Sequence, residues 1–123
     1  MARIKISSAK AKGRALQQWV CRKVSDLVNL PWGYEDDKPI QPRLMGQKGT
    51  DVVLRGEALD GFPFSVECKS GEHWSVPSSV KQAKKNRYKG TNWLLVLKNK
   101  NMKHPIAVLD AKLFFEILES WRR

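Results

Sequence analysis

No apolar run in the 123-residue chain approaches the roughly 20 residues that span a bilayer. The opening Met1-Ala2-Arg3-Ile4-Lys5 also lacks the apolar core of a secretory signal, so a cytoplasmic protein without a membrane partner is expected. Cysteine is scarce. Cys21 and Cys68 stand alone, without CxxC spacing, which argues against a disulfide framework or a zinc site and for two reduced, packed thiols. Acidic residues are few, 12 against 23 Lys and Arg, and the resulting charge of +11 attracts polyanions. Nucleic acid is the first candidate, with anionic lipid or an acidic partner as the bland alternatives. Repeats and low-complexity tracts are absent as well, and the length suits one domain rather than two.

The patterning predicts a basic N-terminal arm over residues 1–11, read as mobile, and a folded domain over 12–123. Leu16, Val20, Val24, Leu27 and Val28 recur at helical spacing and predict a helix from about Lys12 to Asn29, closed by Leu30-Pro31-Trp32-Gly33. The polar stretch Tyr34 to Pro42 reads as a loop. Thr50 to Arg55 and Phe62 to Lys69 are rich in Val and Phe and read as an antiparallel hairpin, with Gly56 to Gly61 as its turn. A short strand is expected before it, near residues 43–45. A second helix is expected over Ser78 to Tyr88, with Pro77 in its first turn. Two strands follow, Trp93 to Leu97 and Pro105 to Leu109, and Asp110 looks like the N-cap of a last helix carrying Leu113, Phe114, Ile117, Leu118 and Trp121. The order helix, strands, helix, strands, helix implies an α/β fold with a mixed sheet flanked by helices.

Chemistry concentrates between Asp51 and Lys69. Side chains alternate along a strand, so Glu67 and Lys69 share one face and Cys68 takes the other. Asp51, at the start of the paired strand, brings a second carboxylate across the hairpin. Two convergent carboxylates make a hard oxygen site that suits Mg²⁺, with Mn²⁺ as a substitute. A nearby ammonium would stabilise charge that develops on a phosphate. A bare E-x-K is more often a surface ion pair; Asp51, the apolar flanks and the basic charge favour the catalytic alternative.

Asp51 followed by Glu67-x-Lys69 on a hairpin, after a helix that opens Lys12-Gly13-Arg14, resembles the PD-(D/E)XK nuclease superfamily, in particular small phage-encoded and archaeal Holliday junction resolvase-like endonucleases. The resemblance implies an αβββαβ restriction-endonuclease-like core and Mg²⁺-dependent hydrolysis of DNA that leaves a 5′-phosphate. It implies Asp51 and Glu67 as metal ligands and Lys69 beside the attacking water. It further implies a homodimer acting on branched DNA in recombination or repair. A linear-DNA nuclease of the same fold, or a nucleic-acid-binding module without turnover, are the alternatives. Thr50 precedes the acidic residue, so only the acidic core of the first motif matches. Many members carry a Glu on the first helix, where Gln17 is the matching residue, at the edge of the inward face; Gln18 falls on the Arg22 side. Gln82 matches the Gln that related nucleases often bring from the second helix.

Lys12, Arg14, Lys48, Lys81, Lys84, Lys85 and Arg87 are the candidate phosphate contacts. Trp32 and Trp74 sit in expected loops and could stack on bases, whereas Trp19, Trp93 and Trp121 read as core. Glu35-Asp36-Asp37 is a run of consecutive loop carboxylates without metal-binding spacing, and His73 is a loop histidine that could contact a phosphate.

Overall fold

In the computed structural model, which describes residues 6–44, 47 and 49–122, the first helix α1 (Ile6–Val28) starts earlier than apolar spacing predicts. Ala9, Ala11 and Ala15, interleaved with lysines, propagate a helix without burying a face, and periodicity alone is blind to that. Part of the expected arm is therefore helical; residues 1–5 lie outside the described set. Leu16, Val20, Cys21 and Val24 form the buried stripe of α1. The helix ends as Asn29 adopts a left-handed conformation (φ 59°) and its N–H donates to Ser25 O at 2.8 Å.

The chain then builds a five-stranded sheet in sequential order from β1 (Ile40–Pro42), β2 (Val52–Leu54), β3 (Phe64–Ser70), β4 (Asn92–Lys98) and β5 (Ile106–Val108). Neighbours are antiparallel except β3 and β4, which run parallel and are joined by the crossover helix α3 (Val76–Asn86). The single-domain α/β architecture with a mixed sheet is as the sequence predicts. Two local expectations need correction. The first strand lies at Ile40–Pro42 instead of residues 43–45, because pairing with β2 recruits the end of the presumed loop; Met45 lies outside the described residues. The segment expected to be a plain turn is a short helix, α2 (Glu57–Gly61), whose Ala58 is fully buried. Gly61 is needed there, since a Cβ would lie 2.9 Å from Val28 Cγ1 of α1.

The sheet separates two layers. On one face, Ile40, Val52, Leu54, Val66 and Val96 pack with the buried stripe of α1. On the other, α3 lies over β3 and β4 with Ser79 and Ala83 buried. Ser75 caps α3, accepting the Ser78 N–H, and Pro77 sits in its first turn. The last helix, α4 (Ala111–Trp121), starts as expected at Asp110, whose Oδ1 accepts the Leu113 N–H at 3.1 Å. Among the described residues no helix is long and apolar enough to cross a membrane.

Candidate active site at the fork between two strands

β3 carries the site because its alternation sends Val66 and Cys68 toward α1 and Ser65, Glu67 and Lys69 toward α3. Beyond the Val52–Val66 pair the two strands part. Asp51 N–H still donates to Val66 O at 2.9 Å, but the Cys68 N–H, left without a strand partner, donates to Asp51 Oδ2 at 2.7 Å. The carboxylate thus takes the place of a backbone carbonyl at the fork, which satisfies a buried donor and holds the acid against β3.

Asp51 and Glu67 are each only 3 % exposed. Burial raises the Asp51 carboxyl above its usual range, against the opposing pull of the Cys68 N–H, Arg43 and Lys69. Burial likewise raises Glu67, and the Asp51 charge pushes it further; Asn86, Lys69 and Arg43 act the other way. Lys69 Nζ lies 3.9 Å from Glu67 Oε1, a loose pair that leaves the ammonium available to a further anion. The three residues of the expected motif are therefore brought together, with both acids buried.

Two neighbours are not among the expected site residues, although Asn86 lies on the polar stripe Ser79, Gln82, Asn86 that helical spacing picks out on the second helix. Arg43 Nη2 is 2.7 Å from Asp51 Oδ1, while its Nη1 donates to Gly49 O at 2.8 Å. Only the pairing of β1 with β2 puts Arg43 beside Asp51. Asn86, in the last turn of α3, donates to Glu67 Oε2 at 3.4 Å. Gln82, one turn earlier on the same stripe, is exposed and makes no hydrogen bond to the acids among the described residues, so the amide at the site comes from Asn86. Gln17 is half-buried on α1, on the opposite side of the sheet from Glu67, and no hydrogen bond ties it to the site among the described residues. Gln18 donates instead to the Tyr34 hydroxyl at 2.7 Å.

A closed polar network follows Asn86 where α3 passes into β4. Thr91 Oγ1 donates to Tyr88 O at 2.7 Å, so the 2.7 Å contact between Ser65 Oγ and Thr91 Oγ1 uses the Ser65 proton; Ser65 Oγ in turn accepts the Tyr88 N–H at 2.9 Å. Arg87 Nη1 donates to Thr91 O at 2.8 Å. Ser65 and Thr91 are both buried, and each hydroxyl has its proton and a lone pair used.

The candidate phosphate contacts divide between layers. Lys12 and Arg14 are exposed on α1; Lys81, Lys84 and Lys85 are exposed on α3, followed by Arg87, and Lys84 Nζ lies 5.7 Å from the centre of the Trp93 ring. Lys48 lies outside the described residues. Trp32 packs against the core instead of standing free for a base, and Trp74 is half-buried. Trp121, expected in the core, is 79 % exposed, because among the described residues no element packs closely on α4. Both thiols are free as expected, and burial pushes Cys21 up to about 12, so it is inert at neutral pH.

Two buried carboxylates flanked by an ammonium suit a hard divalent cation, since Mg²⁺ binds through one or two carboxylates and keeps several waters. Among the described residues no group of three or more His, Cys, Asp or Glu comes together, so a cation here would have Asp51 and Glu67 as its carboxylate ligands and no third one. No family model matches the chain, and comparison with curated proteins and with solved structures likewise finds no match.

Proposed function

We propose that this chain is a metal-dependent endonuclease of the PD-(D/E)XK type, built on the αβββαβ core of that superfamily and acting on DNA in the cytoplasm. The observation that carries this reading is the fork: Asp51 and Glu67, buried on adjoining strands, with Lys69 on the same strand and face as Glu67. Two acids kept out of water next to one another are costly unless a cation faces them. Asp51 and Glu67 would hold Mg²⁺ or Mn²⁺. When bound, the cation supplies charge neutralisation at the phosphate and a water acidic enough to attack it. Lys69 places a positive charge where the pentavalent phosphate gathers negative charge. Arg43 and the Cys68 N–H keep Asp51 oriented, and Asn86 does the same for Glu67. Water adds to phosphorus and the P–O3′ bond breaks, leaving a 5′-phosphate and a 3′-hydroxyl.

The +11 charge supports DNA as the substrate. Cations on both helical layers contact phosphates, which position a duplex without identifying its bases, so recognition is of shape. Branched DNA such as a four-way junction, cut by a homodimer with two sites, fits that description. One observation favours the rival, a nucleic-acid-binding module without turnover: Arg43 already neutralises Asp51 at 2.7 Å.

The deciding experiment incubates the protein with labelled four-way junction, flap, single-stranded and linear DNA, with Mg²⁺ or with EDTA. Cleavage that needs Mg²⁺, prefers the junction, and disappears in Asp51→Asn and Glu67→Gln while DNA binding survives is the expected result. Full activity in EDTA, or either variant cutting at the normal rate, overturns the metal site. Fastest degradation of linear ends overturns the junction preference alone.

A further inference from the structure

α4 is the least accommodated element of the fold. At ~100° per residue, Leu113, Phe114, Phe115, Ile117, Leu118 and Trp121 cover roughly 200° of its circumference, about twice the apolar stripe of an ordinary surface helix. Lys112, Glu116, Glu119 and Ser120 fill the remaining arc. Such a helix has too much apolar surface for one neighbour. In this chain it does not even satisfy one: α4 has no buried residue, and only Leu113 and Leu118 of its apolar set are half-buried. Phe114, Phe115, Ile117 and Trp121 are 43, 66, 42 and 79 % exposed, and Ile106 on the edge strand β5 that leads into α4 is 46 % exposed. An 11-residue helix is marginal in water without packing.

We propose that α4, bordered by β5, is the contact between two copies of this chain, packed helix against helix about a two-fold axis. Charge selects the occupant. Residues 105–122 hold three acidic side chains, Asp110, Glu116 and Glu119, against two basic ones, Lys112 and Arg122, so the positive excess of the chain lies wholly elsewhere. Two strongly basic molecules repel at most relative orientations; this face is where they can meet. Polyanions are steered to the remaining surface. Lys112, Glu116 and Glu119, on the opposite side of α4, would stay in water at the rim of a pair of α4 helices. Area agrees with that occupant. With ~150–250 Å² for each aromatic side chain, the exposed apolar groups amount to roughly 500 Å². That is about the apolar share of the ~800 Å² per partner that a stable interface buries.

The inference rests on the shape and charge of this surface and not on the carboxylate chemistry. It supplies the second copy that paired cleavage requires, yet it is tested without DNA or metal. Light scattering on the size-separated protein at tens of micromolar should give about 28 kDa, twice the 14.1 kDa of one chain. Phe115→Glu and Trp121→Glu, both at exposed positions, should each return the mass to that of one chain with unchanged circular dichroism. Leu27→Glu, at a 69 % exposed position on α1, should leave the dimer intact. In the unmodified protein, amide exchange in α4 should speed up on dilution while exchange in β3 does not. A wild-type mass of one chain, open-ended growth beyond two copies, dimers that survive both α4 substitutions, or dissociation by Leu27→Glu would each overturn the proposal. Loss of cleavage with an intact dimer would count against the nuclease reading alone.

Discussion

Arg43 and Asp51 are joined twice: the Arg43 N–H donates to Asp51 O at 2.9 Å, and its Nη2 stands 2.7 Å from Asp51 Oδ1. The backbone bond extends the β1–β2 pairing by one step and so delivers the guanidinium to a carboxylate that burial makes costly to ionise. Arg43→Ala should therefore lower stability at neutral pH by about 1–3 kcal/mol in EDTA, the cost of leaving a buried polar group underpaired. Mg²⁺ should recover part of that loss. Arg43→Lys keeps the charge but not the fork that also reaches Gly49 O, and should fall between. Denaturant unfolding with and without Mg²⁺ measures all three, and an Arg43→Ala midpoint equal to wild type contradicts the assignment.

Asn86 and Gln82 offer a direct comparison, because both are amides on one stripe of α3 and only Asn86 reaches Glu67. Asn86→Ala should slow single-turnover cleavage by about tenfold, the equivalent of ~1.4 kcal/mol for a hydrogen bond to a charged group. Gln82→Ala should stay within about twofold. The opposite ranking would show that the site is assembled around Gln82 on binding DNA.

Glu67 provides a pH signature. Its folded carboxyl titrates above the ordinary value because of burial and then Asp51, so the folded state holds a proton that the unfolded chain has already lost. Stability tied to this proton is fully present below the unfolded value near 4.3 and is lost as pH rises through the raised folded value. Without divalent cation, Glu67→Gln should thus raise the unfolding free energy at pH 7–8 by on the order of 1 kcal/mol, read as a higher melting temperature. The gain should shrink toward zero near pH 4, where both side chains are neutral. Added Mg²⁺ should stabilise the wild type and leave the variant unmoved. A gain that is constant with pH would assign the effect to packing instead.

Thr91 joins Ser65 to the backbone at Tyr88 in the network behind Asn86. Thr91→Val keeps the shape and removes the hydroxyl, stranding the Ser65 proton in a buried site at a cost of about 1–3 kcal/mol. Ser65→Ala should cost a similar amount, and the double variant less than the sum, since the two share one interaction. Strict additivity in chemical denaturation would deny the coupling.

What was legible in the chain was what short range decides. Period-two alternation put Glu67 and Lys69 on one face and Cys68 on the other whatever the strand was going to meet. Helical spacing marked Leu16, Val20 and Val24 as the inward stripe of α1, and Asp110 announced its helix through a hydrogen bond three residues long. The amino-terminal turns of α1 escaped notice because alanine and lysine favour a helix without requiring a buried face. Arg43 and Thr91 were invisible, and Asn86 could not be told from Gln82 on the same stripe, for a different reason. The partners of Arg43, Asn86 and Thr91 lie 8, 19 and 26 residues away, and each contact exists only after β1 has paired with β2 or the crossover has laid α3 and β4 beside β3. Trp121 shows the same limit from the other side: spacing declared an apolar face, but burial of a face depends on another element lying across it. Among the described residues no element packs closely on α4, and Trp121 stays exposed.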